Sequence, residues 1–313
     1  MKQAILIVAH NNWSILEASL EYYDRELFDI YLHIDKKKEV DFKNFFGKRK
    51  DVRLVKNYNV NWGAYSMIKA EISLFTAAYE DTERYSYYHL ISGVDFPLKN
   101  SEKLFNFFDK NYPKNFIEFS CHEESFFSTH EEYIKFLRNF CGKPYLNRLK
   151  YYHLFQEIDK ISRTNLYNGI EKVAIVIQKL LFIDRTKNTK VVYGKGSNWG
   201  SFTDDFVKLL LSEKDKKVFK ETYEFTLCAD EIYKQTLFLN SSLINTLYFD
   251  NKTKLPNNMR RIDWERGRPY TFTNKDFFEI KELSKSDYMF IRKLDSVSSN
   301  KVITFLNNNR VGD

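Results

Sequence analysis

Short apolar runs alternate with amphipathic segments along the first hundred residues. The runs are typical of buried strands, and the segments between them repeat apolar residues at helical spacing. The predicted strands are 4–8, 30–34 and 87–91, and the predicted helices are 14–23 and 64–79. Such alternation is typical of a parallel sheet covered by helices. The pattern therefore predicts an α/β fold.

Polar side chains follow the first two predicted strands. His10 comes directly after the first strand, and His33 and Asp35 close the second. Because ligands bind beyond the carboxyl ends of parallel strands, this edge is a candidate site. Taken alone, each residue is better explained as part of an ordinary turn.

The segment 120–190 has a different pattern, which is helical and rich in aromatic residues and cations. Tyr133, Phe136 and Tyr151 are among the aromatic residues, interleaved with cations such as Lys135 and Arg148. This composition suggests nucleic acid, a membrane face or sugar stacking. An aromatic core beneath solvated cations explains most of these residues better.

A single domain is expected, since 313 residues suit one large domain and no repeat or Pro/Gly-rich linker divides them. Its expected parts are a nucleotide-binding half (1–119), the helical segment (120–190), an acceptor and catalytic half (191–295) and a peripheral tail (296–313). Residues 194–197 are expected to form a loop. The apolar stretch 173–183 is shorter than the ~20 residues of a spanning helix, so no membrane crossing is predicted.

Composition and charge narrow the class of partner. With 43% hydrophobic and 29% charged residues and no biased tract, the chain is not disordered, collagenous or a coiled coil. Its formal net charge of +7 favours anionic partners, which include sugar nucleotides, nucleic acids and acidic membranes. Three widely spaced cysteines predict neither a disulfide framework nor a zinc site, and they suit a reducing cytoplasm.

Common catalytic motifs are absent from the sequence. It contains no Walker loop, no G-x-G-x-x-G, no H-E-x-x-H and no G-x-S-x-G. It also lacks the D-x-D triplet with which many sugar-nucleotide enzymes hold a divalent ion on the pyrophosphate. An enzyme of that class would need cationic side chains in place of the metal.

Several unusual strings occur in a fixed order. They are HIDKK at 33–37, WGAYS at 62–66, LISGVDFPLK at 90–99, GSNW at 196–199, DE at 230–231 and RK at 292–293. Together they resemble the family of Core-2/I-branching β-1,6-N-acetylglucosaminyltransferases and peptide O-xylosyltransferases. The match runs from Ile5 to about Asp295, and its most specific part is the SGVDFPLK string.

The resemblance implies a GT-A-like, Rossmann-like glycosyltransferase fold with a helical acceptor-side region. It implies an inverting, metal-independent transfer of a β-linked sugar from a UDP-sugar to a glycan hydroxyl. N-acetylglucosamine is the expected sugar and xylose the alternative. The expected acceptor is a glycan or a lipid-linked oligosaccharide, with no cofactor and no divalent metal. Because the family's membrane anchor and disulfides are missing from this sequence, a cytoplasmic location, with peripheral contact at the inner membrane face, is expected.

Most site residues follow from the resemblance, whereas His10 follows from its place after the first strand, and Glu123 and Glu124 follow from their place in the segment 120–190. Glu231 matches the catalytic base, although Cys228 and Ala229 stand where proline often precedes the acidic pair. The expected UDP-binding residues are His10, Asp35, Tyr65, Arg260 and Lys293, of which the last two would replace the metal on the diphosphate. The expected donor-sugar or acceptor contacts are Asp95, Glu123, Glu124, Trp199 and Asp230. Arg261, Arg266 and Arg268 are expected to be surface cations.

Structural roles compete for several of these residues. Asp230 and Glu231 stand at a predicted helix start, where acidic residues are common caps. Asp95 precedes Pro97 and suits the same role. Core packing suits Trp199 equally well. The competing function is a non-catalytic, basic module that binds nucleic acid or a membrane. The acidic pair argues against it, and no nucleic acid is expected as a partner.

The segment 120–190 is expected to form the acceptor side of the cleft, with Glu123 or Glu124 bonded to acceptor hydroxyls. It is also expected to touch an anionic membrane through Lys143, Arg148 and Lys150, with 173–183 lying in the interface as an amphipathic helix. The alternative is an ordinary packed helical layer.

Overall fold

The computed structural model describes residues 1–38, 49, 51–120, 127–140, 146–158, 165–187, 189–250, 252 and 255–308, without the side chains of 140, 146, 165 and 166. The strands are β1 (Lys2–Ala9), β2 (Phe28–Ile34), β3 (Arg53–Leu54), β4 (Tyr85–Ser92), β5 (Phe96–Pro97), β6 (Gly200–Thr203), β7 (Arg260–Ile262) and β8 (Phe290–Arg292). The helices are α1 (Trp13–Tyr22), α2 (Tyr65–Tyr79), α3 (Ser101–Lys110), α4 (His130–Phe140), α5 (Leu146–Lys150), α6 (Asn165–Leu180), α7 (Asp204–Glu213), α8 (Lys217–Tyr223), α9 (Tyr233–Leu239), α10 (Phe277–Leu283) and α11 (Asn300–Asn308).

The main sheet has five strands in the order β3-β2-β1-β4-β6. Strands β3, β2, β1 and β4 are parallel, and β6 is antiparallel to β4. Helices cover both faces, so β1 and β4 at the centre of the sheet are buried along almost their whole length. The predicted α/β architecture is confirmed, and the three predicted strands lie within β1, β2 and β4.

A smaller sheet has the order β5-β8-β7. Strand β8 pairs in antiparallel fashion with β5 and in parallel fashion with β7. This pairing places β8 beside the segment that follows β4. As a result, Arg292 at the end of β8 lies within reach of Asp95.

The hydrophobic core on one face of the main sheet includes residues from both expected halves of the chain. Leu6 and Leu74 from the first half belong to the same cluster as Phe206 and Phe238 from the second. Helices α2, α7 and α9 therefore share one interior. In the part of the chain that the structure describes, no helix has the length and apolar character needed to cross a membrane.

Candidate active site

The carboxyl ends of β1, β2 and β4 form one edge of the main sheet. Ala9 pairs with Ile34 and Val8 pairs with Ser92, so the residues after these strands are neighbours. A cleft of ≈ 510 Å³ opens at this edge. Its walls include His10, Trp62, Glu118, Arg148, Lys195, Trp199, Asp230, Glu231, Trp264, Arg268 and Arg292.

Glu231 reaches the cleft from a single 3-10 turn, Ala229–Glu231, that precedes α9. The turn is tied to two other loops, because the Cys228 N–H donates to the Gly63 carbonyl (2.8 Å) and the Gly196 N–H donates to the Glu231 carbonyl (2.9 Å). Gly63 has a φ of 74°, a conformation that glycine adopts without strain. Among the described residues, no side chain caps α9, whose N-cap is Ile232. The acidic pair therefore does not serve as the helix cap.

Two cations contact the Glu231 carboxylate. Its Oε2 atom lies 3.0 Å from Arg148 Nη1 and 3.3 Å from Lys195 Nζ. The Glu231 side chain is 29% exposed, so an incoming hydroxyl can reach it. Arg148 was expected on a membrane-facing surface, and the structure places it in the cleft instead.

Asp230 also lines the cleft, but its carboxyl group is buried. Burial raises the pKa of Asp230 to about 7, and the nearby carboxylates of Glu71 and Glu231 add to the shift while Lys234 opposes it. Its Oδ1 atom has no hydrogen-bond partner among the residues described. The group can exchange a proton near neutral pH.

A buried ion pair lies beneath Asp230. Lys234 Nζ is 2.5 Å from Glu71 Oε2, and both side chains are almost fully buried. Asn198 bridges the pair, accepting from Lys234 at 2.6 Å and donating to Glu71 at 2.7 Å. Lys234 also donates to the Asp230 carbonyl at 3.1 Å. This network connects α2, α9 and the loop before β6 under the cleft floor.

Asp95 positions a cation. It is 2% exposed, accepts the Ser92 N–H at 2.9 Å and contacts Arg292 Nη1 at 2.8 Å. The Arg292 guanidinium lies 4.6 Å from the centre of the Trp199 ring. The structure therefore contradicts the helix-cap alternative for Asp95, since α3 starts at Ser101 and is capped by Asn100.

Arg260 lies in the interior, away from the cleft walls. It is 2% exposed, and its guanidinium donates to the carbonyls of Asn258 (2.5 Å) and Gly200 (2.7 Å). Burial lowers the pKa of Arg260 to about 10. The expected contact with a diphosphate does not fit this placement, because the guanidinium already joins β7 to β6. Arg268, expected to be a surface cation, is exposed and also lines the cleft.

His10 and Lys293 stay close to the sheet edge. Burial lowers the pKa of His10; Asp35 opposes the shift, whereas the cations Arg292, Lys38 and Lys293 add to it. Lys293 precedes Leu294, whose N–H donates to the Val94 carbonyl (3.1 Å), but Arg292 is the member of the RK string that lines the cleft.

Asp35 and Tyr65 are not brought together with Glu231. Asp35 is 6% exposed and accepts the backbone N–H groups of Lys37 (3.1 Å) and Val60 (3.2 Å), so it holds the loops beside β2. Tyr65 lines a separate groove, where the Lys69 ammonium is 5.4 Å from its ring centre. Trp62, from the same string, is the residue that lines the cleft.

Glu118 is a cleft residue that the sequence reasoning missed. Burial raises the pKa of Glu118 to about 7, with Arg260 and Lys195 opposing the shift. The available signal was a single carboxylate within the apolar run 116–119. Glu123 and Glu124 lie outside the described residues. In the described ranges, no three His, Cys, Asp or Glu side chains converge on a possible metal position.

The arrangement combines a reachable carboxylate with cations and flat aromatic surfaces. Arg148, Lys195, Arg268 and Arg292 favour an anionic ligand, and three of the four tryptophans of the chain offer ring faces. A model of the Core-2/I-branching enzyme family matches residues 6–291. The chain belongs to this family.

Several xylosyltransferases are similar to this chain in sequence. Human xylosyltransferase 2 is 24% identical over 308 residues, which cover 91% of this chain and 30% of the human protein. A xylosyltransferase of Ciona intestinalis is 22% identical over 299 residues, which cover 90% of this chain and 31% of that protein. The chain thus spans about a third of the length of these relatives. The solved structure of S. aureus TarS shares 12% identity at a TM-score of 0.30, over 41% of this chain and 24% of TarS, which is too little to support an argument.

Proposed function

We propose that this member of the Core-2/I-branching family is an inverting, UDP-sugar-dependent glycosyltransferase with a GT-A-like fold. Glu231 is its general base. The observation that carries the proposal is the half-buried Glu231 carboxylate in a cleft rimmed by cations. Membership of a family of glycosyltransferases supports it.

In the proposed reaction, the Glu231 carboxylate accepts the proton of an acceptor hydroxyl. The hydroxyl oxygen forms a bond to the anomeric carbon from the face opposite UDP. The bond from that carbon to the β-phosphate oxygen breaks, and its electron pair leaves with UDP. One carboxylate is enough for this single displacement, which inverts the anomeric configuration.

The leaving diphosphate is neutralised by side chains in place of a metal ion. Arg268 and Arg292 line the cleft, and Lys293 lies between Arg292 and Leu294, whose N–H donates to the Val94 carbonyl in the loop after β4. Guanidinium groups suit this role because they bind phosphate oxygens in bidentate fashion. Asp95 acts through Arg292, whose guanidinium it holds.

The donor and acceptor are proposed by chemical class. N-acetylglucosamine is the first candidate sugar, and xylose is the second because the curated relatives are named xylosyltransferases. The acceptor is a hydroxyl of a glycan, either free or carried on a lipid. The exposed indole of Trp62 and the ring of Trp264 offer stacking surfaces for sugar rings. A cytoplasmic location suits such a reaction.

A panel of UDP-sugars, assayed for UDP release with and without EDTA, tests the proposal. We expect release from one sugar nucleotide, with the same rate in excess EDTA. Loss of turnover on chelation that manganese restores would contradict metal independence. No UDP binding and no release from any donor would contradict the transferase itself.

A further inference from the structure

Helix α6 presents its aliphatic side chains to solvent. Its outer face, continued by the residues that follow the helix, is strongly exposed. It consists of Ile170 (42%), Val173 (58%), Val176 (52%), Ile177 (49%), Leu180 (72%), Leu181 (66%) and Phe182 (81%). Residues 170, 173, 177 and 180 recur at the spacing of one helical stripe. A contiguous apolar surface of this kind marks an interaction site.

The inner face of α6 is held by polar contacts. Gln178 is 7% exposed and exchanges hydrogen bonds with the Tyr152 backbone, accepting at 2.7 Å and donating at 3.0 Å. Glu171 contacts His153 Nδ1 at 3.1 Å and accepts the Leu154 N–H at 3.2 Å. Rolling the helix to bury its aliphatic stripe would break these bonds. A helix that packs on a core turns its apolar face inward, whereas α6 turns polar side chains inward and its aliphatic stripe outward.

The border of the outer face is cationic. Lys172 and Lys179 are exposed on α6 itself, and Lys187 and Lys190 are exposed in the segment that follows it. The carboxylates of this segment are turned toward the protein instead, with Glu171 at His153 and Asp184 Oδ2 4.0 Å from Lys150 Nζ. The surface therefore pairs an apolar centre with a positive rim.

We propose that the outer face of α6, with Leu181 and Phe182, inserts into the headgroup region of an anionic lipid bilayer. An amphipathic helix lying in the membrane plane buries its apolar side chains at the acyl boundary, and lysines at its border gain about 1 kcal/mol each near anionic lipids. A second copy of this chain fits less well, because two positively charged rims would face each other. The proposal does not depend on the transferase reaction.

The outer face is connected to the cleft through one short helix. The Arg185 N–H, just beyond α6, donates to the Lys150 carbonyl at the end of α5 (3.2 Å). Arg148, in the same helix α5, contacts Glu231. If the proposed transferase reaction is correct, a membrane-seated α6 brings the cleft close to an acceptor carried on a lipid.

Vesicle co-sedimentation tests the proposal with zwitterionic phosphatidylcholine vesicles and with vesicles that also contain phosphatidylglycerol. We expect the wild-type chain to bind the anionic vesicles at low salt and to be released at high salt. The double variant Ile177→Gln/Leu180→Gln should bind about 10-fold more weakly or worse, since two aliphatic side chains no longer enter the interface. The control Val218→Gln/Phe278→Gln, which changes two exposed apolar residues elsewhere, should bind like the wild type.

Two further measurements make the result decisive. Thermal unfolding of each variant shows whether a variant that no longer binds vesicles is still folded. UDP binding, measured without lipid, shows whether the cleft is intact. No binding of the wild type to anionic vesicles would overturn the proposal, and so would an equal loss in the control variant. A wild-type dimer that Ile177→Gln/Leu180→Gln converts to monomer, without vesicle binding, would assign the face to self-association instead.

Discussion

Three carboxyl groups line the cleft, and they differ in their exposure and in their neighbours. Glu231 is partly exposed and lies between two cations, whereas Asp230 and Glu118 are buried with their pKa values raised to about 7. A carboxylate that stays reachable by solvent suits proton transfer to and from a substrate. The buried pair suits hydrogen bonding to sugar hydroxyls, since each can donate when protonated.

The variant Glu231→Gln should fold and bind UDP normally but lose about 100-fold or more in transfer, the usual scale for a general base. The amide keeps the shape of the side chain and cannot accept the proton. Turnover and UDP affinity, measured together, separate the two effects. Glu221→Gln, which changes an exposed side chain paired with Lys217, is the matched control and should remain active. Wild-type turnover of Glu231→Gln would remove Glu231 from the mechanism and make Glu118 the next candidate.

Asp230 makes stability dependent on pH in a defined direction. Its raised pKa means that the folded chain holds a proton which the unfolded chain, with an ordinary aspartate, has already released. Between the ordinary aspartate value and about 7, stability therefore falls as pH rises. The side chain that replaces Asp230 in Asp230→Asn cannot ionise. The melting temperature of this variant, relative to that of the wild type, should therefore rise from about pH 5 to about pH 8. Each kcal/mol of stability that the wild type loses corresponds to about 2–4 °C of this difference. Asp215→Asn, at an exposed side chain, should show no such trend, and an advantage independent of pH would contradict the buried carboxyl.

At the scale of elements, the cleft is built from strand ends on one side and loops on the other. The loop before β6 approaches the backbone of residue 118 so closely that a Cβ at Gly196 would lie 1.7 Å from the Glu118 carbonyl oxygen. The same glycine donates to Glu231. Its lack of a side chain therefore allows this loop to meet the 3-10 turn that carries Glu231.

Two glycine-to-alanine variants should have opposite effects. Gly196→Ala should lower the free energy of unfolding by about 1–3 kcal/mol, as overpacking does, and should reduce the proposed transfer by displacing the turn that carries Glu231. Gly169→Ala lies in α6, where a Cβ would meet nothing within 4 Å, and should stabilise by up to about 1 kcal/mol through helix propensity. Urea denaturation measures both. Equal effects of the two substitutions would show that the close approach at Gly196 is unimportant.

At the scale of the whole molecule, a buried ion pair joins parts of the chain that are far apart in sequence. Glu71 belongs to α2, and Lys234 lies in the first turn of α9, which follows the turn that carries Glu231. The core cluster around them also draws on both expected halves. Breaking this ion pair should therefore lower the stability of the whole molecule and not of one half alone.

Lys234→Met should lower the free energy of unfolding by about 3–5 kcal/mol, because it leaves the Glu71 carboxylate buried without its cation. Denaturation followed by fluorescence and by circular dichroism should give one coincident transition. Lys220→Met, which breaks an exposed pair with Glu224, should cost less than about 1 kcal/mol. Two separated transitions, or equal losses in both variants, would contradict a shared interior.

The sequence alone determined the local elements and their order. Apolar runs of strand length, separated by helical patterns, were enough to predict β1, β2 and β4 in a parallel sheet, since periodicity reports the backbone state of each segment. The same reasoning placed His10 at the edge of the sheet where the cleft opens. The ordered strings were enough to identify the family, which the match over residues 6–291 confirms.

Only the tertiary structure decided which side chains meet. Arg260 and Arg268 look alike in the sequence, yet carbonyls from residues 200 and 258 enclose the first while the second lines the cleft. Likewise, the periodicity of α6 gives the spacing of its aliphatic stripe but not its direction, which Gln178 sets by bonding to Tyr152. Periodicity depends on neighbours along the chain, whereas burial and side-chain direction depend on partners brought together from distant segments.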